Sequence, residues 1–251
     1  MPWPRVFSRS QMPELLNNVS HKDLRVITQR GAKWGDDVMS CPATVDEFRS
    51  LQAHYPILFQ QDDKGNFHPI VLFGLQDGQN LFLDGDRWDA EYLPLAMRRM
   101  PFSIGVSPDG TDMRMMVDMT SARIAKGSDG EAVFLPQGGN TDFLNEANAI
   151  LLTLHNGLEA TAEFTQALAA NQLLEPFTFD VQQADGSHGR LVGLHLVNEE
   201  RLAALEPATL VGLHQADYLL AIYMCVASLS HLPELARRHV ARQVDAAAAK
   251  A

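Results

Sequence analysis

The stretch HPIVLFGLQDGQNLFLDGDRW at residues 68–88 decides the fold class of this protein. HPIVLFGL and NLFLDGDRW are rich in aliphatic and aromatic residues, and the polar segment QDGQ separates them. Since Asp77-Gly78 supplies the positive φ that a tight turn requires, the pattern predicts two strands joined as an antiparallel hairpin. We therefore expect the first half of the chain to be built on hairpins.

A second hairpin is predicted directly downstream. PFSIGVS at 101–107 and MRMMVDM at 113–119 flank a Pro-Asp-Gly turn at 108–110. Within the second segment, Met113, Met115 and Val117 alternate imperfectly with Arg114, Met116 and Asp118. This half-buried pattern favours an antiparallel sheet over a parallel one.

Helical spacing dominates the second half of the chain. Apolar residues recur at intervals of three and four from Leu144 to Leu158, which predicts an amphipathic helix. Asn156-Gly157 interrupts this pattern, so we expect either two helices or one kinked helix. Residues 177–181 and 190–197 predict a third hairpin, and the most apolar helix is expected at 208–230.

These elements together predict an α+β fold. Its antiparallel sheet is expected to come from hairpins in the N-terminal half, with helices from the C-terminal half packed against it. No repeat or linker divides the chain, so we predict a single domain over 1–245, β-rich over 1–126 and helix-rich over 141–240. The alanine-rich tail at 246–251 is expected to fray.

Charge and cysteine content exclude several classes of protein. The sequence has 20 Lys and Arg against 31 Asp and Glu, a net charge of −11 that disfavours contact with nucleic acid phosphates. Cys41 and Cys225 have no CxxC companion, so neither a zinc site nor a disulfide is predicted. The apolar run at 218–229 is shorter than the roughly 20 residues that cross a bilayer, and no signal peptide is evident. We expect a cytoplasmic protein without a membrane span.

No motif of a common enzyme class is present, which favours a non-catalytic protein without a cofactor. The chain lacks GxSxG, and the glycines of PQGGN at 136–140 lack the spacing of a nucleotide-binding loop. One metal alternative remains, in which His21 and Asp23 form part of the facial triad of a non-haem iron oxygenase. Its distal ligand would be His54, His195 or His214. The competing interpretation is that His21 is hydrogen-bonded to backbone.

A dense group of polar and aromatic residues is the strongest candidate for a binding site. Arginine forks, carboxylates and flat aromatic faces suit the recognition of a peptide or protein segment. The alternative is structural: the aromatic residues fill the core, and the arginines pair with nearby aspartates to hold a long loop. The residues of this predicted binding cluster are Asn80, Asp84, Asp86, Trp88, Tyr92, Arg98 and Arg99.

The sequence HPIVLFGLQDGQNLFLDGDRWDAEYLPLAMRRMPFSIG at 68–105 resembles the signature region of the SapC family of soluble bacterial proteins. Other stretches resemble sequences of the family and occur in the same order along the chain. They include HKDLRV at 21–26, AHYPILF at 53–59 and FLNEANAILLTLHNGLEATAEFTQAL at 143–168.

The resemblance implies a role but no chemistry. Proteins of this family tend to be encoded beside TonB-dependent receptors, flavin-dependent halogenase-like proteins and cupin-like proteins. This association implies an accessory protein in a modification or receptor-linked uptake system. The family name implies a further alternative, a structural protein associated with the surface layer.

Overall fold

The computed structural model describes residues 13–106, 112–183 and 186–248, and it shows an α+β protein. The strands are β1 (Glu14–Leu15), β2 (Arg25–Val26), β3 (Ser40–Pro42), β4 (Ile57–Gln61), β5 (Phe67–Leu72), β6 (Leu83–Asp84), β7 (Arg87–Trp88), β8 (Phe102–Val106), β9 (Met113–Val117), β10 (Glu131–Ala132), β11 (Leu174–Gln182) and β12 (His188–Val197). The helices are α1 (Phe48–Leu51), α2 (Leu95–Arg98), α3 (Asp142–Ala170), α4 (Glu199–Ala203), α5 (Pro207–Gln215), α6 (Tyr218–Ser228) and α7 (Leu232–Ala248).

The chain forms two compact units, each assembled from separate segments. Unit 1 contains the described residues up to Asp37 together with Leu83–Asp89 and Leu95–Asn156. Unit 2 contains Val38–Phe82, Ala90–Pro94 and the chain from Gly157 onward. The β-rich and helix-rich halves of the sequence therefore do not coincide with these units, and the single domain stays a prediction.

Unit 2 is built on an antiparallel sheet of five strands in the order β11-β12-β4-β5-β3. The central strands are apolar because both of their faces are covered, and Ile57, Leu58 and Phe59 of β4 are fully buried. Helix α6 packs against β4 and β12, and α7 packs against β11. The predicted hairpin at 177–181 and 190–197 is confirmed as β11 and β12.

Unit 1 is built on a smaller antiparallel sheet in the order β1-β9-β8. The predicted hairpin of PFSIGVS with MRMMVDM is confirmed as β8 and β9, while its turn at 108–110 lies outside the described residues. One face of this sheet packs on the first half of α3. The centre of that core is formed by Phe102, Val117, Val133, Leu144 and Leu151.

The predicted pairing within 68–88 is wrong. HPIVLFGL forms β5, but β5 pairs with β3 along one edge and β4 along the other, so no edge remains for a third strand. NLFLDGDRW instead turns back on itself about Gly85, whose φ is 64°, and pairs β6 with β7. The fold class is confirmed although this hairpin has a different partner.

Two helices differ from their predicted forms. Helix α3 is continuous, and Gly157 serves close packing because a Cβ there would lie 3.1 Å from Cβ of Thr44. The apolar helix predicted at 208–230 is two helices, α5 and α6, separated at Asp217. Asp217 has a φ of 59°, a left-handed conformation that aspartate tolerates better than most residues and that ends a helix.

The C-terminal helices bear on two further predictions. Helix α7 reaches Ala248 within the tail that we expected to fray, and 249–251 lie outside the described residues. In the described part of the chain, the stretch Tyr218–Ala248 is long and apolar enough to cross a membrane by length and composition. Core helices of soluble proteins meet the same criterion, so the absence of a membrane span stays a prediction.

Candidate functional site

The signature hairpin, which we define as β6 and β7 with their turn (Leu83–Trp88), presents charged side chains to solvent. Arg87 forms ion pairs with Asp84 at 3.2 Å and with Asp89 at 3.8 Å, and the side chains of Arg87 and Asp84 are 68% and 73% exposed. Such exposed pairs contribute about 0–1 kcal/mol to stability. Trp88, opposite Leu83, is half-buried, and Asp86 is exposed at the turn. The fold therefore gains little stability from these ion pairs.

Two residues of the predicted binding cluster belong to unit 2 and have packing roles there. The Asn80 side chain is buried and accepts a hydrogen bond from the backbone N–H of Phe82. The Tyr92 hydroxyl donates to Oε1 of Glu47 at 3.0 Å, and the Tyr55 hydroxyl donates to the Tyr92 carbonyl at 2.5 Å. For Tyr92, these contacts agree with the alternative in which the aromatic residue fills the core.

The adjacent arginines of the predicted cluster lie at the end of α2 and just after it, ahead of β8, and they contact different partners. Arg98 forms an ion pair with Glu146 of α3 at 2.5 Å, rather than with an aspartate of the signature hairpin. Arg99 donates from Nη1 to the carbonyl of Phe102 at 2.7 Å and so braces the first residue of the strand. Arg99 therefore contacts the backbone and has a structural role. Arg98 instead pairs with the Glu146 side chain, which is 62% exposed, so this ion pair is accessible to solvent.

A buried ion centre lies beside these arginines. Arg123 is 2% exposed and Asp36 is 1% exposed, and Nη2 of Arg123 lies 2.5 Å from Oδ1 of Asp36. Arg123 also donates to the carbonyls of Ile27 and Gln29. Because a buried charge is costly unless it is paired and hydrogen-bonded, this centre fixes the chain around residues 27–36.

Arg30 extends this centre toward the surface. Its Nη1 lies 3.6 Å from Oδ1 of Asp36 and donates to the carbonyl of Met97 at 3.3 Å. Burial lowers the pKa of Arg30, and the charges of Arg123 and Arg98 lower it further, while Asp36 opposes them. The turn that follows Arg30 approaches the signature hairpin, since a Cβ at Gly31 would lie 3.4 Å from the carbonyl oxygen of Gly85.

Among the described residues, strand β8 pairs with β9 alone, which leaves an open edge that we define by the backbone groups of Ile104 and Val106. The N–H of Leu16 donates to the carbonyl of Met115, so Met115 directs its backbone groups toward β1. Ile104 lies opposite Met115 in the register, and in an antiparallel pair such a residue directs its own N–H and C=O away from β9. Val106, two residues further, has the same orientation. Within the described residues, no hydrogen-bond partner is recorded for these groups.

Apolar side chains surround the outer end of this edge. Val106 is 52% exposed and Met113, its partner on β9, is 47% exposed. The methionines of β9 are divided between the two faces of the sheet. Met115 packs on the core, whereas Met116 lies over Gly105, where a Cβ would be 3.0 Å from its Cγ. Within residues 13–106, 112–183 and 186–248, the end of the sheet therefore combines apolar side chains with backbone groups of Ile104 and Val106 that have no partner.

The metal alternative gains no support from the described geometry. Nδ1 of His21 accepts a hydrogen bond from the backbone N–H of Asn17, and His21 is buried. The Asp23 side chain is 88% exposed and pairs with Lys22. In the described ranges, no group of three or more His, Cys, Asp or Glu side chains is placed to hold a metal ion. Cys41 and Cys225 are buried and form no disulfide among the described residues, and burial raises the pKa of the Cys225 thiol.

Sequence patterns did not identify the ion centre or the open edge. The signal for Arg123 is its position in SARIA, where a lone cation among small and apolar residues indicates burial. No comparable local signal marks the edge of β8, because the edge is defined only by which strands pair. Arg98 was found because it lies beside Arg99 in the dense cluster.

Comparison with known proteins identifies the family. The SapC family model matches residues 16–235, which include the signature hairpin, the ion centre and β8. No curated protein and no solved structure matches the chain. Because the family match covers most of its length, the chain belongs to the SapC family.

Proposed function

We propose that this protein is a non-catalytic accessory protein that binds an extended segment of a protein partner on unit 1. The observation that carries the proposal is the open edge of β8, where the backbone groups of Ile104 and Val106 have no recorded partner within the described residues. An extended peptide adds to such an edge through main-chain hydrogen bonds. Side chains near the edge then determine which segment binds.

The surroundings of the edge support a peptide over a small molecule. The edge is linear, and exposed Val106 and Met113 offer apolar contacts to alternate residues of an added strand. An unprotected edge of this kind also promotes aggregation, which proteins ordinarily prevent with charges, proline or a covering segment. A partner strand that usually covers the edge of β8 would explain why the exposed side chains beside it are apolar.

The partner system is proposed from the family association rather than from geometry. SapC-like proteins tend to be encoded beside TonB-dependent receptors and beside flavin-dependent halogenase-like and cupin-like proteins. We propose that the bound segment belongs to a protein of such a modification or uptake system, and that binding takes place in the cytoplasm. The accessory protein would present or hold this segment, with no chemical step of its own.

Replacing Val106 with proline is expected to abolish partner capture. Proline removes the N–H that an added strand needs, and it is tolerated at an edge where that N–H faces solvent. The thermal midpoint is therefore expected to stay within a few degrees of the wild-type value. The matched control is Val106→Thr, which keeps both the N–H and a β-branched side chain.

The measurement is affinity capture from the native cell with quantitative mass spectrometry. Proteins retained by the wild type and by Val106→Thr, and lost with Val106→Pro, are the expected partners. Peptide arrays of those proteins then locate the bound segment. Equal capture by all three chains would contradict binding at the edge of β8.

A further inference from the structure

We infer that the open edge of β8 pairs with β8 of a second copy of this chain when no partner segment is bound. This inference rests on the proposed function and deepens it, because the second copy would regulate access to the same edge. It is carried by the backbone register of β8, by the apolar side chains at its outer end and by the uncharged sequence of the strand.

The edge of β8 lacks the features that ordinarily keep a strand edge unpaired. Proteins protect such edges with charged side chains, proline or a bulge. Strand β8 has the sequence FSIGV, without a charged residue or proline, and it pairs with β9 without a register shift. The outer strand of the unit 2 sheet, β11, is different, because it carries Pro176, Asp180 and a register shift between Phe177 and Phe179. The contrast indicates that β11 is protected against pairing, whereas β8 is not.

Backbone contacts select one register for a two-fold, antiparallel pair. The Phe102 carbonyl, which also faces outward, already accepts from Nη1 of Arg99, and the Phe102 N–H donates to the Arg99 carbonyl. Ile104 and Val106 remain, so Ile104 of each copy would lie opposite Val106 of the other, with Gly105 at the two-fold axis. Since each opposed pair exchanges two main-chain hydrogen bonds, the two pairs would form four.

The side chains on the core-facing side of the sheet are complementary in this register. Val106 and Met113 are 52% and 47% exposed, whereas Ile104 and Met115 pack against the core of unit 1. Met113 lies opposite Val106 on β9, and Met115 lies opposite Ile104, so each pair forms a row across the sheet. Pairing would join the exposed row of one copy to the core-packed row of the other. The exposed apolar side chains would thereby be covered in both copies.

The opposite side of the sheet leaves room for the same contact. Gly105 has no side chain, and Met116 lies over it, since a Cβ there would be 3.0 Å from Cγ and 3.1 Å from Sδ of Met116. Two facing Gly105 residues would form a closely spaced, non-hydrogen-bonded pair at the axis. The Met116 side chains of the two copies would then meet above it, a contact to which flexible thioether chains adapt well.

The size of the contact predicts a weak dimer that a partner segment can displace. A five-residue strand with few neighbouring side chains offers less than the roughly 1,200 Å² that stable interfaces bury. We therefore expect a dissociation constant of about 10–100 µM. The chain is then monomeric at low micromolar concentration, and a segment with more side-chain contacts replaces the second copy.

Sedimentation velocity of the full chain between about 1 and 500 µM measures the dimer. The weight-average mass of the wild type is expected to rise from 27.8 kDa toward twice that value. Val106→Pro, which removes an N–H used in pairing, is expected to raise the dissociation constant more than about tenfold. The matched control Val106→Thr keeps that N–H and is expected to stay within about threefold of the wild type.

A second variant guards against a folding defect in the proline chain. Val106→Asp keeps the backbone N–H but would bring a carboxylate against Ile104 of the second copy. Because burying an unpaired charge is costly, it is also expected to raise the dissociation constant more than about tenfold. Circular dichroism checks that each variant is folded. Folded aspartate and proline variants that dimerise as the wild type does would overturn the inference.

Cysteine cross-linking tests the register. Opposed residues of a hydrogen-bonded antiparallel pair have Cα atoms about 5.5 Å apart, within reach of a disulfide. A mixture of Ile104→Cys and Val106→Cys chains is therefore expected to form a disulfide-linked heterodimer under mild oxidation. Either variant alone should cross-link about tenfold less, because its cysteines would be diagonal to each other, about 7–8 Å apart. The wild type, with buried Cys41 and Cys225, gives the background.

The outcomes separate self-pairing from the proposed function. A wild type that stays monomeric up to about 500 µM overturns self-pairing, whatever the result of partner capture. Single-cysteine variants that cross-link as efficiently as the mixture overturn it as well, because the register would be wrong. If the mixture cross-links as expected while Val106→Pro leaves partner capture unchanged, self-pairing stands and the proposed function fails.

Discussion

Replacing Asp36 with alanine is expected to lower the free energy of unfolding by about 3–5 kcal/mol, the usual cost of removing one partner from a buried ion pair. Arg123 would keep its hydrogen bonds to the carbonyls of Ile27 and Gln29, but its charge would stay buried without a carboxylate. Arg30 would lose its only recorded ion pair within the described residues. Denaturant unfolding followed by circular dichroism measures the effect.

The control for this variant is Asp180→Ala. Asp180 pairs with Arg190 at 2.8 Å, but both side chains are more than half exposed. Its loss is therefore expected to change the free energy of unfolding by less than about 1 kcal/mol. If the Asp36 and Asp180 variants were equally stable, the ion centre would not be what holds residues 27–36 in place.

Replacing Gly74 with alanine is expected to destabilise the protein by about 3 kcal/mol, the upper end of the usual cost of overpacking. A Cβ at Gly74 would lie 2.2 Å from the backbone oxygen of Gln79 and 2.9 Å from its carbonyl carbon, so the backbone itself must move. Gln79 also anchors a buried network, because its Oε1 accepts from the N–H of Leu75 and lies 2.8 Å from Nδ1 of His239. Thermal and denaturant unfolding both measure the loss.

Replacing glycine with alanine is expected to have the opposite effect on stability at Gly212. This glycine lies within α5, and a Cβ there would meet nothing within 4 Å. Gly212→Ala should therefore stabilise the protein by about 0.5–1 kcal/mol, since alanine loses less conformational entropy in a helix. A Gly74→Ala variant as stable as Gly212→Ala would mean that the turn between β5 and β6 is looser than described.

Local sequence patterns were sufficient for the elements whose partners are close in the chain. The hairpin of β8 with β9 and that of β11 with β12 each join neighbouring segments, so alternation and turn residues specify them. The α+β class follows from these hairpins and from the spacing of α3. Local rules also singled out Arg98 and the residues of the signature hairpin, although they predict NLFLDGDRW as one strand rather than as the β6–β7 hairpin.

Features that depend on distant partners were not predictable in this way. The sequence pattern predicts the wrong partner for β5 because β3 and β4 pair with its two edges. The local sequence HPIVLFGL does not indicate which strands pair with it. The ion pair of Asp36 with Arg123 joins residues 87 positions apart. The sequence predicts a helix interruption at Asn156-Gly157, because the packing of Gly157 against Thr44 is visible only in three dimensions.

Hydrogen exchange of the backbone amides of β8 tests the central claim most directly. Ser103 and Gly105 direct their amides toward β9 and should be protected in the free protein, whereas Ile104 and Val106 should exchange faster. On binding of the captured partner segment, we predict new protection at Ile104 and Val106 and little change at Ser103 and Gly105. A bound complex in which the amides of Ile104 and Val106 exchange as fast as in the free protein would contradict strand addition.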